Sequence, residues 1–314
     1  MRRIAFAVAA LLLAGCAGPA PAQTTADTVT LGMSYIPNIQ FAPFYVAKAS
    51  GKLDGIELRH HGSGESLFGA LSAGQEQFVV ATGDEAMQAA AEGVDVVAIA
   101  PYYLEYPVKV LTLASSGIST LADLKGKKLG VPGRYGESWF AALLALKTAG
   151  LSESEVEIVE IGYTLQAAVT TGKVDAAMGF SNNDLVQLQL AGMDVRALDI
   201  TDGEPPLVGA SVFTTRAFMA SNPKAVEQVK KATAEGIDAV AADPAAAIET
   251  SASQIADLDK VAAEATLKAT IAVMAPDGKA ATSFDTGKWE KMGEFMLAAG
   301  LINAIPDPLP VVGD

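Results

Sequence analysis

Amides, hydroxyls and glycines recur in short polar stretches of this 314-residue chain, at the points where β-branched runs end. These residue types suit ligand binding more than catalysis, because amides and hydroxyls pair with N–H and C=O groups and tyrosine rings stack on flat rings. Glycines in the same stretches allow backbone N–H groups to approach a ligand. The candidate ligand-binding residues are Tyr35, Asn38, Gln40, Gly62, Ser63, Asp84, Glu85, Tyr103, Glu105, Arg134, Tyr135, Glu137, Asn182 and Asn183.

The tyrosines and acids of these stretches indicate what kind of ligand would bind. All seven tyrosines lie between Tyr35 and Tyr163, and a tyrosine-lined cleft suits a flat ring. Asp84 and Asp184 fit better as helix N-caps or as residues of a first helical turn, stabilised by the helix dipole. Even so, a pocket with one arginine and several acids would bind sulfonate, nitrate or bicarbonate poorly. We therefore expect a neutral or weakly basic ring that presents N–H donors. The acids concerned are Glu65, Asp84, Glu85, Glu105, Glu137 and Asp184.

Catalytic chemistry has little support from the residue types. The chain has one cysteine, Cys16, and two histidines, His60 and His61. These residues do not form a set with the spacing of metal ligands. Adjacent histidines at a strand end are more often solvated loop residues. We expect no enzymatic activity, no cofactor and no metal site.

Short β-branched runs alternate with longer helical patterns, and this alternation predicts βα units with parallel strands. Residues 108–113 and 208–214 are predicted to be strands that cross between two such series, and residues 222–300 to be almost wholly helical. The predicted strands of the first series are 29–33, 56–59, 77–81 and 96–100, with helices at 42–50, 66–73 and 84–92. The second series has one strand that ends at residue 131 and further strands at 155–160, 174–179 and 195–198. Its predicted helices are at 138–149, 165–171 and 184–191.

Two βα series joined by two crossings predict an α/β protein with two lobes, each a mostly parallel sheet flanked by helices. Residues 28–112 and 213–314 would form the first lobe, and residues 113–212 the second. In such sheets ligands bind beyond the carboxyl ends of the strands. The candidate residues are therefore expected to face a cleft between the lobes.

The N-terminal residues predict export from the cytoplasm. Arg2 and Arg3 precede an apolar run over residues 4–13, which is too short to span a membrane. The following Leu13-Ala14-Gly15-Cys16 resembles the bacterial lipobox, which implies a lipidated Cys16. The chain would then consist of a signal peptide over residues 1–15, a tether over residues 16–27 and the folded body.

A second cleavage site leaves the anchor open. Cleavage after Ala22 would release a free periplasmic protein instead of a lipoprotein. The net charge is −14 at pH 7, and loss of Arg2 and Arg3 with the signal peptide leaves −16. A body this acidic argues against binding to nucleic acid or to anionic lipid.

Several motifs resemble one family. The run from Tyr35 to Ala47, YIPNIQFAPFYVA, resembles the opening of periplasmic solute-binding proteins for thiamine pyrimidine precursors, alkanesulfonates and nitrate. The runs Gly51–Leu58, Leu121–Val131 and Thr171–Met178 resemble three further motifs of that family. The resemblance covers roughly residues 28–245. Its motifs are more specific for the family than for the ligand.

The resemblance implies a type II periplasmic-binding fold whose hinge is made of two crossing strands. It implies an ABC permease and ATPase as partners of a monomer in the periplasm or at the cell surface. By position, Tyr35, Asn38 and Gln40 correspond to contacts in the first ligand loop, and Arg134 and Tyr135 to the loop of the second lobe. The run Phe180-Ser181-Asn182-Asn183-Asp184 resembles a loop of members that bind pyrimidines and flavins.

The combined expectation is a binding protein that captures a small heterocyclic nutrient by hinged closure and delivers it to a permease. The nutrient would be a thiamine pyrimidine precursor or a riboflavin-like ring. Three alternatives remain at this stage. They are a binding protein for alkanesulfonate or nitrate, a pyrimidine-synthesising enzyme of the same fold, and a sensor or adhesion lipoprotein without an importer.

Overall fold

The computed structural model describes residues 28–62 and 65–313. The predicted signal peptide, Cys16, the tether and Ser63 lie outside the described residues. Within the described part, no helix combines the length and apolar character needed to cross a membrane.

The described elements alternate much as the sequence predicts. The strands are β1 Val29–Met33, β2 Ile56–His60, β3 Phe78–Thr82, β4 Val96–Pro101, β5 Val108–Leu113, β6 Lys128–Val131, β7 Glu157–Glu160, β8 Ala176–Phe180, β9 Val195–Leu198 and β10 Ala210–Thr215. The helices are α1 Ala42–Ala49, α2 Leu67–Ser72, α3 Gly83–Ala91, α4 Gly136–Thr148, α5 Leu165–Thr170, α6 Asp184–Leu190, α7 Arg216–Ser221, α8 Pro223–Ala242, α9 Pro244–Ser251, α10 Lys260–Met274 and α11 Thr286–Ala298.

The described strands form two five-stranded sheets. The strand orders are β2-β1-β3-β10-β4 and β7-β6-β8-β5-β9. In each sheet one strand is antiparallel to both neighbours, β10 in the first and β5 in the second. The remaining pairs are parallel. The predicted two-lobed α/β architecture is confirmed.

Each strand that was expected to bridge the lobes belongs to a single sheet. Among the described strands, β5 pairs with β8 and β9, and β10 pairs with β3 and β4. Pairing on both sides satisfies the backbone N–H and C=O groups, which a bridging strand would leave exposed. The chain changes sheet in the connecting segments, residues 102–107 and 199–209. The division into lobes at residues 112/113 and 212/213 stays a proposal.

Glycines end the first helices, as their positions in the sequence predict. Gly51, Gly74 and Gly93 follow α1, α2 and α3 with φ angles of 76°, 69° and 91°. This left-handed conformation lets the chain turn back toward the sheet without a clash at Cβ.

The largest hydrophobic cluster runs through both lobes. It joins Met87 of α3 and Phe213 of β10 to Phe140 of α4 in the second lobe. From α11, Trp289 packs on Phe213 with ring centroids 6.2 Å apart. The C-terminal helices therefore pack on the first lobe through Trp289, as predicted, and they also reach the second lobe, where Nζ of Lys147 lies 5.1 Å from the centroid of the Phe295 ring.

A close backbone approach joins α8 to α1. At Gly236 of α8, a Cβ atom would lie 2.4 Å from the carbonyl oxygen of Pro43. Glycine is needed here because a side chain would force the two helices apart.

A hydrogen-bonded chain connects the lobes through a tyrosine. Tyr106 lies in the connecting segment over residues 102–107. Its hydroxyl lies 2.8 Å from Oδ2 of Asp84 and 3.0 Å from the backbone oxygen of Glu137. Burial, together with the charge of Glu85, raises the pKa of Asp84 to about 7. A protonated Asp84 can donate a hydrogen bond to the hydroxyl oxygen of Tyr106. The hydroxyl of Tyr106 can then donate to the backbone oxygen of Glu137.

Replacement of Gly236 by alanine tests the helix contact. Alanine favours helix over glycine by about 1 kcal/mol, yet we expect Gly236→Ala to lower the free energy of unfolding because the added methyl group meets Pro43. Urea denaturation measures the change. Gly287→Ala in α11 is the control, since its nearest neighbour is a carboxylate oxygen at 3.2 Å on a movable side chain. An unfolding midpoint for Gly236→Ala at or above that of the parent protein would contradict the contact.

Replacement of Asp84 by asparagine tests the chain of hydrogen bonds. Since the pKa of Asp84 is raised from 3.8 to about 7, the folded state binds more protons than the unfolded state between these values. The free energy of unfolding therefore falls as the pH rises through this window, by at most about 1.4 kcal/mol per pH unit. Asp84→Asn donates as the protonated acid does and removes this dependence. Melting curves from pH 5 to pH 8 should therefore show that the melting temperature of the variant rises relative to that of the parent protein as the pH increases. Asp202→Asn, at an exposed position, is the control. If the melting temperature changes with pH equally in Asp84→Asn and in the parent protein, the raised pKa of Asp84 is refuted.

Candidate ligand-binding cleft

A cavity of about 180 Å³ lies between the lobes, at the carboxyl ends of strands from both sheets. Residues that follow β1, β3, β4, β6, β7 and β8 form its wall. Among them are Ser34, Tyr35, Gln40, Phe41, Glu85, Tyr102, Tyr103, Tyr135, Glu137, Tyr163, Asn183 and Asp184. Topology therefore brings together loops that are up to about 150 residues apart in sequence.

The structure brings half of the candidate residues to this cavity. Those in its wall are Tyr35, Gln40, Glu85, Tyr103, Tyr135, Glu137 and Asn183. Gly62 lines an adjoining groove of about 700 Å³, which shares Glu85, Tyr135 and Tyr163 with the cavity. Asn38, Asp84, Glu105, Arg134 and Asn182 lie outside the cavity wall.

Two asparagines act behind the wall. Asn38 caps the short helical turn Ile39–Phe41, because its Oδ1 accepts a hydrogen bond of 3.0 Å from the backbone N–H of Gln40. Asn182 is buried and donates from Nδ2 to the hydroxyl of Tyr103 at 3.3 Å and to Thr270 at 3.1 Å. Both amides hold residues that face the cavity.

Glu105 and Arg134 point to other surroundings. Glu105 belongs to the connecting segment over residues 102–107, where it is exposed and lines a separate surface groove. Arg134 pairs with Glu153 at 2.7 Å, and its guanidinium lies 4.9 Å above the ring of Trp139. With Arg134 elsewhere, the described residues in the cavity wall include no arginine, and they include no lysine or histidine either.

Three acids of the wall stand at the starts of helices. Glu85 belongs to the first turn of α3, Glu137 to that of α4 and Asp184 to that of α6. Oε2 of Glu85 accepts from the backbone N–H of Thr82, and Oδ2 of Asp184 from that of Phe180 at 2.8 Å. In contrast, Oε1 of Glu137 is buried without a hydrogen-bond partner among the described residues.

Burial raises the pKa of each of these three acids. Burial raises the pKa of Asp184 to about 6 and that of Glu85 above its usual value. Burial and the charges of Asp84 and Glu85 raise the pKa of Glu137 well above the ordinary range. In the described part of the chain, none of these acids forms an ion pair that would offset its burial.

Tyrosines frame the mouth of the cavity. Tyr35 of the first lobe meets Tyr163 of the second edge to face, with ring centroids 4.7 Å apart. Tyr135 is 50% exposed and Tyr163 41% exposed, so both rings are accessible to a ligand. Tyr163 is not among the site residues predicted from the sequence, although it follows the predicted strand over residues 155–160. Its place after the carboxyl end of that strand is the signal that points to it.

The two histidines do not line the cavity. Nδ1 of His60 lies 2.9 Å from the backbone oxygen of Tyr35, and Nε2 lies 3.0 Å from the hydroxyl of Tyr45. His61 is 2% exposed and pairs with Glu76 at 2.8 Å. Across the described residues, no group of three or more histidine, cysteine, aspartate or glutamate side chains is placed to hold a metal ion.

The fold is similar to that of a solved binding protein. The alkanesulfonate-binding protein SsuA from Xanthomonas axonopodis pv. citri, bound to MOPS, has a TM-score of 0.72 with this chain at 20% sequence identity. The likeness covers 91% of this chain and 98% of that one. The predicted periplasmic-binding-protein fold is confirmed.

Relatives in sequence include a binding protein and an enzyme. Riboflavin-binding protein RibY of Chloroflexus aurantiacus is 35% identical over 306 residues, which cover 93% of this chain and 86% of the relative. The 4-amino-5-hydroxymethyl-2-methylpyrimidine phosphate synthase of Aspergillus parasiticus is 27% identical over 241 residues, with 71% of this chain and 69% of the enzyme covered.

The family model described as NMT1/THI5 like matches residues 38–247. This range lies largely within the stretch in which the sequence motifs resemble the family. By this match and by its identity to the riboflavin-binding relative, the chain belongs to the NMT1/THI5-like family.

Proposed function

We propose that this protein is the substrate-binding component of an ABC importer and that its ligand is a small heterocyclic nutrient. The ligand class is a thiamine pyrimidine precursor or a riboflavin-like ring. One observation carries the proposal: both lobes line the cavity with tyrosines and with acids whose pKa is raised by burial, and no lysine, arginine or histidine is among the described wall residues.

The aromatic residues support a flat ligand. Tyr35, Tyr135 and Tyr163 come from three loops and present accessible rings at the mouth. A ligand ring that enters here can stack on one tyrosine while the hydroxyls of others fix its orientation. The adjoining groove continues the cavity past Gly62 and leaves room for a substituent on the ring.

The charge distribution disfavours an anionic ligand. A sulfonate or nitrate would lie against Glu85, Glu137 and Asp184 without a cation to offset its burial. Likeness to sulfonate-binding structures at 20% identity concerns the fold alone. The riboflavin-binding relative, at 35% identity, supports the ring class.

Binding without catalysis fits the positions of the histidines. His60 and His61 use their ring nitrogens to hold protein groups, and neither faces the ligand space. We assign the chain a binding role and no reaction of its own, although a relative is named as a pyrimidine phosphate synthase.

Hinged closure would deliver the ligand. Residues 102–107 and 199–209 connect the sheets, so rotation about these segments opens and closes the cleft. Lipidated Cys16 would hold the monomer at the outer face of the membrane or at the cell surface, where a permease, coupled to its ATPase on the other side of the membrane, recognises the closed form.

Calorimetric titration tests the ligand class. The purified protein is titrated with riboflavin, hydroxymethyl-aminopyrimidine, taurine and nitrate. We expect a ring compound to bind with micromolar or better affinity, about 8 kcal/mol, and the two anions to bind at least a hundredfold more weakly. Tighter binding of taurine or nitrate would show that the acids of the wall do not set the selectivity.

Truncation of the mouth tyrosines tests ring stacking. Tyr135→Ala and Tyr163→Ala should each weaken binding of the ring ligand by about threefold to tenfold, because aromatic pairs contribute about 0.5–1.5 kcal/mol beyond their buried area. Tyr163→Phe keeps the ring and is the matched control, with an expected change below twofold. Alanine variants that bind as the parent protein does would place the ligand away from the mouth.

A further inference from the structure

We propose that Glu137 is a specificity-determining residue of the cleft, and that its carboxyl group recognises an N–H group on the edge of the ligand ring. Tyr103 would donate its hydroxyl proton to an acceptor on the same edge. The inference rests on the proposed function and deepens it. The ligand class becomes a planar ring with an N–H donor next to a carbonyl or ring-nitrogen acceptor.

Glu137 is a buried polar side chain without a partner. It is 9% exposed, lines the cavity, and leaves Oε1 without a hydrogen bond to any described residue. An unsatisfied buried acceptor destabilises a fold, so such groups in native structures usually have a partner. Glu85 and Asp184, the other acids of the wall, already accept backbone hydrogen bonds. Glu137 is therefore the acid that is free to pair with a ligand.

The backbone places Glu137 between the lobes. Gly136, directly before it, has a φ angle of 69°, which favours glycine. A Cβ atom at Gly136 would lie 2.9 Å from Oε1 of Glu85 in the first lobe. This glycine lets the start of α4 approach α3 closely, which brings the Glu137 carboxyl group to the cavity.

Tyr103 supplies the complementary donor. Its hydroxyl oxygen accepts from Nε2 of Gln40 at 3.4 Å and from Nδ2 of Asn182 at 3.3 Å. With both acceptor positions used, the hydroxyl proton is available to the cavity that Tyr103 lines. Amides from both lobes thus orient a donor toward the ligand space.

The surroundings of Glu137 favour a neutral acid over an anion. Asp84 and Glu85 of α3 and the hydroxyls of Tyr103 and Tyr106 surround it, with no cation among the described wall residues. Burial and the two neighbouring acids raise its pKa. A protonated carboxyl group has one donor and one acceptor, which match an imide edge or an aminopyrimidine edge in a two-point pairing.

The test combines a protein change with a ligand change. The full chain and its Glu137→Met and Glu137→Gln variants are titrated with riboflavin and with riboflavin methylated on its imide nitrogen. If riboflavin does not bind, the aminopyrimidine and its dimethylamino analogue replace this pair. Glu137→Met removes hydrogen bonding at similar length, and Glu137→Gln restores a neutral donor and acceptor. Exposed Glu290→Gln is the control for loss of a charge.

We expect methylation to weaken binding to the parent protein at least tenfold. Glu137→Met should weaken binding of the unmethylated ring at least tenfold and should not distinguish it from the methylated ring. Glu137→Gln should bind within about threefold of the parent and keep the discrimination. Melting temperatures confirm that each variant is folded, and if Glu137→Met does not fold, the methylation effect on the parent and on Glu137→Gln decides.

Three results overturn the inference while leaving the proposed function intact. The first is an equal methylation effect in the parent protein and Glu137→Met, and the second is no methylation effect in the parent at all. The third is binding to Glu137→Gln as weak as binding to Glu137→Met, which would exclude recognition by a neutral carboxyl group. If no ring compound binds to the parent protein, the proposed function fails, and the inference fails with it.

Discussion

The lobes of this protein meet at buried carboxyl groups, and the properties of the cleft depend on the protons that those groups keep. Asp84 at the start of α3 connects through Tyr106 to the backbone of Glu137 at the start of α4. Ionised acids would be destabilising here, because the described residues supply no cation to pair with them. With Asp84 protonated, each group in the chain of hydrogen bonds has a donor or an acceptor that matches its neighbour.

The same constraint is the basis for proposing a neutral ring as the ligand. Helix N-termini attract anions, and α3, α4 and α6 all begin at the cavity. Here the chain's own acids, Glu85, Glu137 and Asp184, stand at those three ends. The helix dipole contributes about 0.3–1 kcal/mol toward ionisation, whereas full burial can shift a pKa by several units in the opposite direction. The effect of burial is the larger one, and the pKa of each acid is raised. Because these side chains already occupy the three helix ends, little room is left there for an anionic ligand.

The sequence predicts the order of strands and helices well because glycines, β-branched runs and helical periodicity are local signals. It also predicts which loops meet, since the carboxyl ends of parallel strands share one edge. It does not predict which side chain of a loop faces the ligand. Asn38 turns back to cap residues 39–41, and Arg134 finds Glu153 and Trp139, because these partners lie close only in the folded chain. Such choices depend on tertiary contacts that leave no periodic signal.

Relatives that include a binding protein and a synthase do not by themselves decide between binding and catalysis. The side chains at the strand ends carry that information. In this chain His60 is held between Tyr35 and Tyr45, and His61 is buried against Glu76, so each imidazole supports a loop. The groups that face the cavity are hydroxyls, amides and acids whose pKa is raised by burial, and such groups can pair with the N–H and C=O groups of a ring. A site of this composition gains selectivity from pairing, because an analogue that lacks one group leaves a buried partner unsatisfied.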